Sequence, residues 1–155
     1  MNTKPLIVKH EFDAPVALVW RALTELNLIK QWYFDMSEFK AEVGFKFQFD
    51  GKGKTGINYT HLCEIIEVIP KQKLKHTWAY KGYEGQSVVT FELFQNGNKT
   101  ILQLTHEGLG NLADCPDFVP ENFTEGWTYL LNALQDFLDK LESTEKHDTT
   151  CPNNL

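Results

Sequence analysis

The sequence predicts an α+β fold in which an antiparallel sheet bends around one long C-terminal helix. Two observations predict it. The periodic segments run as one strand, two short helices, a series of strands and a final helix, with no βαβ repeat. The final segment, Phe123 to Leu141, places Tyr129, Ala133, Phe137, Leu130, Leu141, Leu134, Trp127, Leu138 and Leu131 on one apolar arc of roughly 200° at about 100° per residue. That is nearly twice the usual stripe, so the helix is expected to be held on more than one side.

The chain has 155 residues, 42% of them apolar, which fits one domain over 1–142 followed by a polar tail, 143–155, expected to fray. A formal charge of -6 repels phosphate backbones and anionic lipid, which argues against nucleic-acid and membrane partners. Cys63, Cys115 and Cys151 are odd in number and widely spaced, and are read as reduced thiols of a cytoplasmic protein. Polar residues after Met1, and no long apolar run, leave no signal peptide or spanning segment.

LIVKHEF (Leu6 to Phe12) reads as the first strand. Asp13-Ala14-Pro15 then starts a helix, with proline at its first position and Val16, Val19, Trp20 and Leu23 at helical spacing. Thr24 is read as the cap of a second helix bearing Leu28, Ile29 and Trp32. Phe45, Phe47 and Phe49 alternate as a strand, and the glycine-rich loop Gly51 to Gly56 joins them to the next one.

The remaining strands can be aligned from their turns. Asn96-Gly97 is a hairpin signal that puts Phe91 opposite Leu102, Val89 opposite Leu104 and Ser87 opposite His106. A turn at Tyr83 and Glu84 sets Trp78 opposite Val89, His76 opposite Phe91 and Tyr80 opposite Ser87. One around Pro70 to Gln72 sets Leu62, Glu64, Ile66 and Val68 beside Tyr80, Trp78, His76 and Leu74. On the opposite face Lys75 falls between Glu67 and Glu92, and Thr77 meets Thr90, which are favourable pairs. This alignment turns Ile57, Tyr59, Cys63 and Ile65 outward, so either a bulge intervenes or the outer face carries an apolar patch.

The inner face so derived is aromatic and aliphatic, with Glu64, His76, Tyr80, Ser87 and His106 set into it. Tyr80, Ser87 and His106 fall in one row at a cavity mouth, and Glu64 lies diagonal to His76, within hydrogen-bond reach. An apolar chamber with a few fixed polar groups is what a small-molecule site needs. Gly126, on the apolar arc of the last helix, is read as a point of close backbone packing. Gly53-Lys54-Thr55 is no phosphate loop, because Gln48 stands where the first glycine is required and a strand follows. Histidines 61, 76 and 106 make no metal site, since His61 is placed on the other face.

Taken together, FDAPVALVWRALTELNLIKQW (Phe12 to Trp32), EVIPKQKLKHTW (Glu67 to Trp78), VVTFEL, LQLTHEGL and Gly126-Trp127 resemble a START-like (SRPBCC, birch-pollen-allergen-like) helix-grip domain. More narrowly, the chain is similar, over Leu6 to Glu142, to the family named for the activator of the ninety-kilodalton heat-shock protein ATPase. The resemblance implies six or seven antiparallel strands curled round the C-terminal helix, with a hydrophobic cavity between them. It also implies a small apolar ligand, and a chaperone or a second copy of the chain as further partners. The fold alone does not fix a function.

The leading expectation is therefore a binding protein for a small hydrophobic or amphipathic molecule, with no cofactor, no metal and no assigned catalytic residue. Its candidate ligand-binding residues are Phe47, Glu64, His76, Trp78, Tyr80, Ser87, Phe91, His106, Trp127 and Leu131. The alternatives are acid–base chemistry by Glu64 with His76 or His106 with Tyr80 on a cyclic or polyketide-like substrate, and a chaperone-associated role through an outward patch at Tyr59, Cys63 and Ile65.

Overall fold

The structure, a computed structural model, describes residues 4–150, with side chains over 4–141. β1 (Leu6–Phe12) leads into α1 (Val16–Thr24) and α2 (Leu26–Trp32), and β2 (Lys46–Lys52), β3 (Asn58–Ile69), β4 (Lys73–Tyr80), β5 (Ser87–Asn96) and β6 (Lys99–Glu107) follow. Short 3₁₀ turns at Leu109–Asn111 and Pro116–Phe118 lead to α3 (Pro120–Thr150). The strands form one curved antiparallel sheet in the order β1-β6-β5-β4-β3-β2, wrapped on α3 as the sequence predicts. α3 runs on into the segment read as a tail; residues 151–155 of that tail lie outside the described residues.

The two short helices begin and end differently from expectation. Pro15 stands just before α1 with ψ 154°, still extended, because the turn of helix starts one residue later. Thr24 does not cap α2: its hydroxyl donates back to the Trp20 carbonyl at 2.7 Å, and extended Glu25 separates the helices. The Trp32 indole N–H donates to the Ala22 carbonyl at 2.9 Å, which fixes α2 against α1. Thr100 donates to the Ala14 carbonyl at 2.8 Å and ties this helical pair to the sheet.

α3 is gripped by a narrower face than its composition suggests. Phe123, Trp127, Leu131, Leu134, Phe137 and Leu138 are buried, with Leu130 and Leu141 partly so. These positions span an arc of about 120°, an ordinary amphipathic stripe. Tyr129 is 73% exposed and lies outside it.

Strand pairing departs from the sequence alignment in two ways. In the β5–β6 hairpin Asn96 pairs with Lys99, so Phe91 meets Leu104 and Val89 meets His106; in β4–β5 Trp78 meets Ser87 and His76 meets Val89. Both are slips of two residues, which leave every side chain on its expected face. The β3–β4 pairing contains a bulge between Ile65 and Glu67: Val68 meets Leu74, but His61 meets Tyr80. One extra residue reverses the facing of the first half of β3.

Tyr59, His61, Cys63 and Ile65 therefore point inward, while Leu62, Glu64 and Ile66 turn outward. Full burial of a side chain such as Ile65 stabilises by roughly 1.5–3 kcal/mol. The ladder hydrogen bond lost at a bulge costs only about 0.5–1.5 kcal/mol. No straight strand could turn both Ile65 and Val68 inward, since with Ile65 opposite His76 it would set Glu67 rather than Val68 against Leu74, so the bulge wins.

Candidate functional site

Between the inner face of β3 and β4, the β2–β3 connection and the first turns of α3 lies a cavity of about 380 Å³. Its walls are mainly rings: Phe34, Tyr59, His61, Trp78, Tyr80, Phe118, Phe123 and Trp127. Gly126 opens onto it. A Cβ added there would meet nothing within 4 Å, so this glycine leaves space on α3, and the close packing expected from sequence is not found.

The β2–β3 connection covers one side, and two glycines let it do so. A Cβ on Gly51 would stand 2.9 Å from the Phe34 ring, and one on Gly53 would stand 2.5 Å from an Asp117 carboxylate oxygen. Asp117 holds the loop down. It accepts hydrogen bonds from the Thr55 amide at 3.1 Å, the Thr55 hydroxyl at 2.5 Å and the Tyr59 hydroxyl at 2.6 Å. The hydroxyl donors of Thr55 and Tyr59 hold its carboxyl below the usual range, while burial and then the Asp117 hydrogen bond raise the Tyr59 phenol. Across the rim Lys54 Nζ meets Glu125 at 2.7 Å.

Among the residues proposed from sequence, only Trp78, Tyr80 and Trp127 line this cavity. Trp78 donates its indole N–H to the Tyr80 hydroxyl at 2.9 Å. Phe47, His76 and Phe91 line a second chamber of about 20 Å³, together with Tyr33 and Trp32. His76 donates from Nδ1 to the Thr77 carbonyl at 2.8 Å, and burial lowers its pKa to about 4. The Tyr33 hydroxyl is fully buried and has no hydrogen-bond partner among the described residues.

Ser87 and His106 do not form a row with Tyr80. The Trp127 indole donates to His106 Nδ1 at 3.1 Å, so the ring proton sits on Nε2, which is 2.7 Å from Ser87 Oγ. Both ring nitrogens are thereby satisfied inside the core. Burial, with the charge of His76 second, lowers the His106 pKa to about 3. Leu131 is a core residue of α3 and lines neither cavity. Glu64 is on the outer face, so its expected hydrogen bond to His76 is not made, and the bulge is the reason.

Tyr59, His61, Asp117 and Phe118 are among the wall residues that escaped sequence reasoning, as are Phe34 and Phe123. His61 and Tyr59 were turned outward by the missing bulge. Asp117 and Phe118 sit in a 3₁₀ turn that carries no periodicity. The one available signal was the pair of glycines, Gly51 and Gly53, on a strand end, which marks a close backbone approach. His61 is buried against Phe49, with ring centroids 4.6 Å apart, and burial lowers its pKa to about 4 against the opposing pull of the Phe49 and Tyr59 carbonyls. Among the described residues no group of His, Cys, Asp or Glu could hold a metal ion, and no helix is long and apolar enough to cross a membrane.

Solved structures with this fold include protein MLL2253 from Mesorhizobium loti, 27% identical with a TM-score of 0.71, over 88% of this chain and 98% of that one. CalU16 from Micromonospora echinospora is 26% identical with a TM-score of 0.68, over 86% of this chain and 73% of that one. DynU16, from the dynemicin biosynthetic locus, shares the fold at 22% identity and a TM-score of 0.73; the match covers 89% of this chain and 48% of that one. No curated protein matches the chain. The family described as Activator of Hsp90 ATPase homolog 1-like protein matches residues 13–139, and the chain belongs to that family.

Proposed function

We propose that this family member binds a small hydrophobic or amphipathic molecule in the space between β3, β4 and α3. The observation that carries the reading is a ring-lined cavity of about 380 Å³ with Gly126 leaving its α3 wall open. That volume falls in the range of roughly 300–1,000 Å³ typical of ligand sites. The acid–base alternative has lost its pairs: Glu64 is outside, and both nitrogens of His106 are engaged by Ser87 and Trp127. The outward patch suggested for a chaperone has lost Tyr59, Cys63 and Ile65 to the core.

The experiment is a fluorescence titration with the neutral dye N-phenyl-1-naphthylamine, on the wild-type chain and on Gly126→Leu. Leucine there projects into the cavity and also removes a helical glycine, which stabilises the helix by up to about 1 kcal/mol. The expected outcome is at least tenfold weaker dye binding in a variant no less stable than wild type. Absence of dye uptake by the wild type, or equal uptake by both, would refute the proposal.

A further inference from the structure

Once water is excluded, each polar group on a cavity wall needs a partner. Most find one inside the protein. Asp117 and the Tyr59 hydroxyl satisfy each other, with Thr55 as the second donor. Lys54 is paired with Glu125, and the Asn122 amide donates to the Pro116 and Asp117 carbonyls at 3.2 and 3.4 Å. The Trp78 indole is committed to Tyr80. Lys52 is exposed to water at the rim.

Two hydrogen-bonding positions on buried residues remain. The Tyr80 oxygen accepts from Trp78, but its own O–H has no acceptor among the described residues. His61 Nδ1 is 3.3 Å from the Phe49 carbonyl, and a carbonyl can only accept, so the proton is on Nδ1 and Nε2 is left as a bare acceptor. The two residues face each other directly across β3 and β4, with ring centroids 4.8 Å apart, and both line the cavity.

We infer that the cavity selects a neutral ligand bearing a hydroxyl group, whose oxygen accepts from Tyr80 and whose proton goes to Nε2 of His61. One donor and one acceptor on neighbouring rings fit a phenol, an alcohol or an enol. An ionised carboxylate has no proton for His61 and meets the Asp117 carboxylate on the same wall. An ether or a ketone satisfies Tyr80 alone. The inference rests on the ligand-binding proposal above and names the chemistry of the ligand.

Three probes of one shape test it: naphthalene, 2-methoxynaphthalene and 2-naphthol, titrated into the full chain near neutral pH, with affinities corrected for octanol–water partition. Naphthalene reads the apolar space, the ether adds an acceptor, and naphthol adds a donor as well. Each added hydrogen bond is expected to tighten binding by about fivefold. His61→Phe should erase the advantage of naphthol over the ether and leave the other two probes unchanged. Tyr80→Phe should cost both oxygenated probes about fivefold and leave naphthalene alone.

If naphthol binds no better than the ether in the wild type, or keeps its advantage in His61→Phe, the hydroxyl subsite is wrong while the cavity remains a binding site. If none of the three binds, the ligand-binding proposal is wrong and the subsite falls with it. Should His61→Phe fail to fold, Tyr80→Phe decides: equal losses for naphthalene and the ether overturn the inference.

Discussion

Acidification from about pH 7 to about pH 5 should unfold much of this protein's stability margin through three inward histidines. His61, His76 and His106 are buried, and burial lowers their pKa values from 6.5 to about 4, about 4 and about 3. The unfolded chain takes up a proton at each position below about pH 6.5, where the folded chain does not, so their contribution is intact above that pH and is lost as pH falls toward 4. By linkage each histidine costs about 2 kcal/mol between pH 7 and pH 5, and the three together about 5–6 kcal/mol. That rivals the whole stability of a typical domain, about 5–15 kcal/mol. The window lies above the carboxylate range, so Asp117, whose pKa is lowered from 3.8, still holds its donors there. Urea unfolding followed by tryptophan fluorescence at a series of pH values gives the slope. Approaching three protons per molecule near pH 5 is expected; a slope of one proton or less would show that these rings are not held neutral by burial.

Two further outcomes follow from single groups. Asp117→Asn removes the charge that gathers Thr55 and Tyr59, and should cost about 1.5–3 kcal/mol in urea unfolding, with faster amide exchange confined to the 53–57 connection. Tyr33→Phe removes a buried hydroxyl that has no partner, so stability should be unchanged or raised by up to about 1 kcal/mol, the reverse of the usual tyrosine loss.

How far the sequence could be read depended on parity. The order of elements, the span of β1 and the inward facing of β4, β5 and β6 were legible, because turn residues and period-two patterning locate a hairpin to within a residue or so. Misplacing a turn by one position shifts the pairing by two, as at Asn96-Gly97, and Trp78, Tyr80, Ser87 and His106 stayed on the right face. A bulge is different, since it shifts by one. The stretch from Tyr59 to Ile69 is apolar at both odd and even positions, so nothing local told which half was slipped, and His61 was assigned to the wrong side. Asp117 was illegible for another reason: its role depends on a loop 62 residues away in sequence.

β1 completes the sheet by pairing with β6, Leu6 lying against His106. The earliest strand to leave the ribosome thus waits for the latest, and β6 itself is backed by Trp127 of a helix made later still. Contacts this distant along the chain delay folding to a millisecond-to-second regime, during which half-made sheets with bare edges are prone to stick to one another. Supplying β1 on a separate peptide should convert that intramolecular delay into a concentration-dependent assembly step.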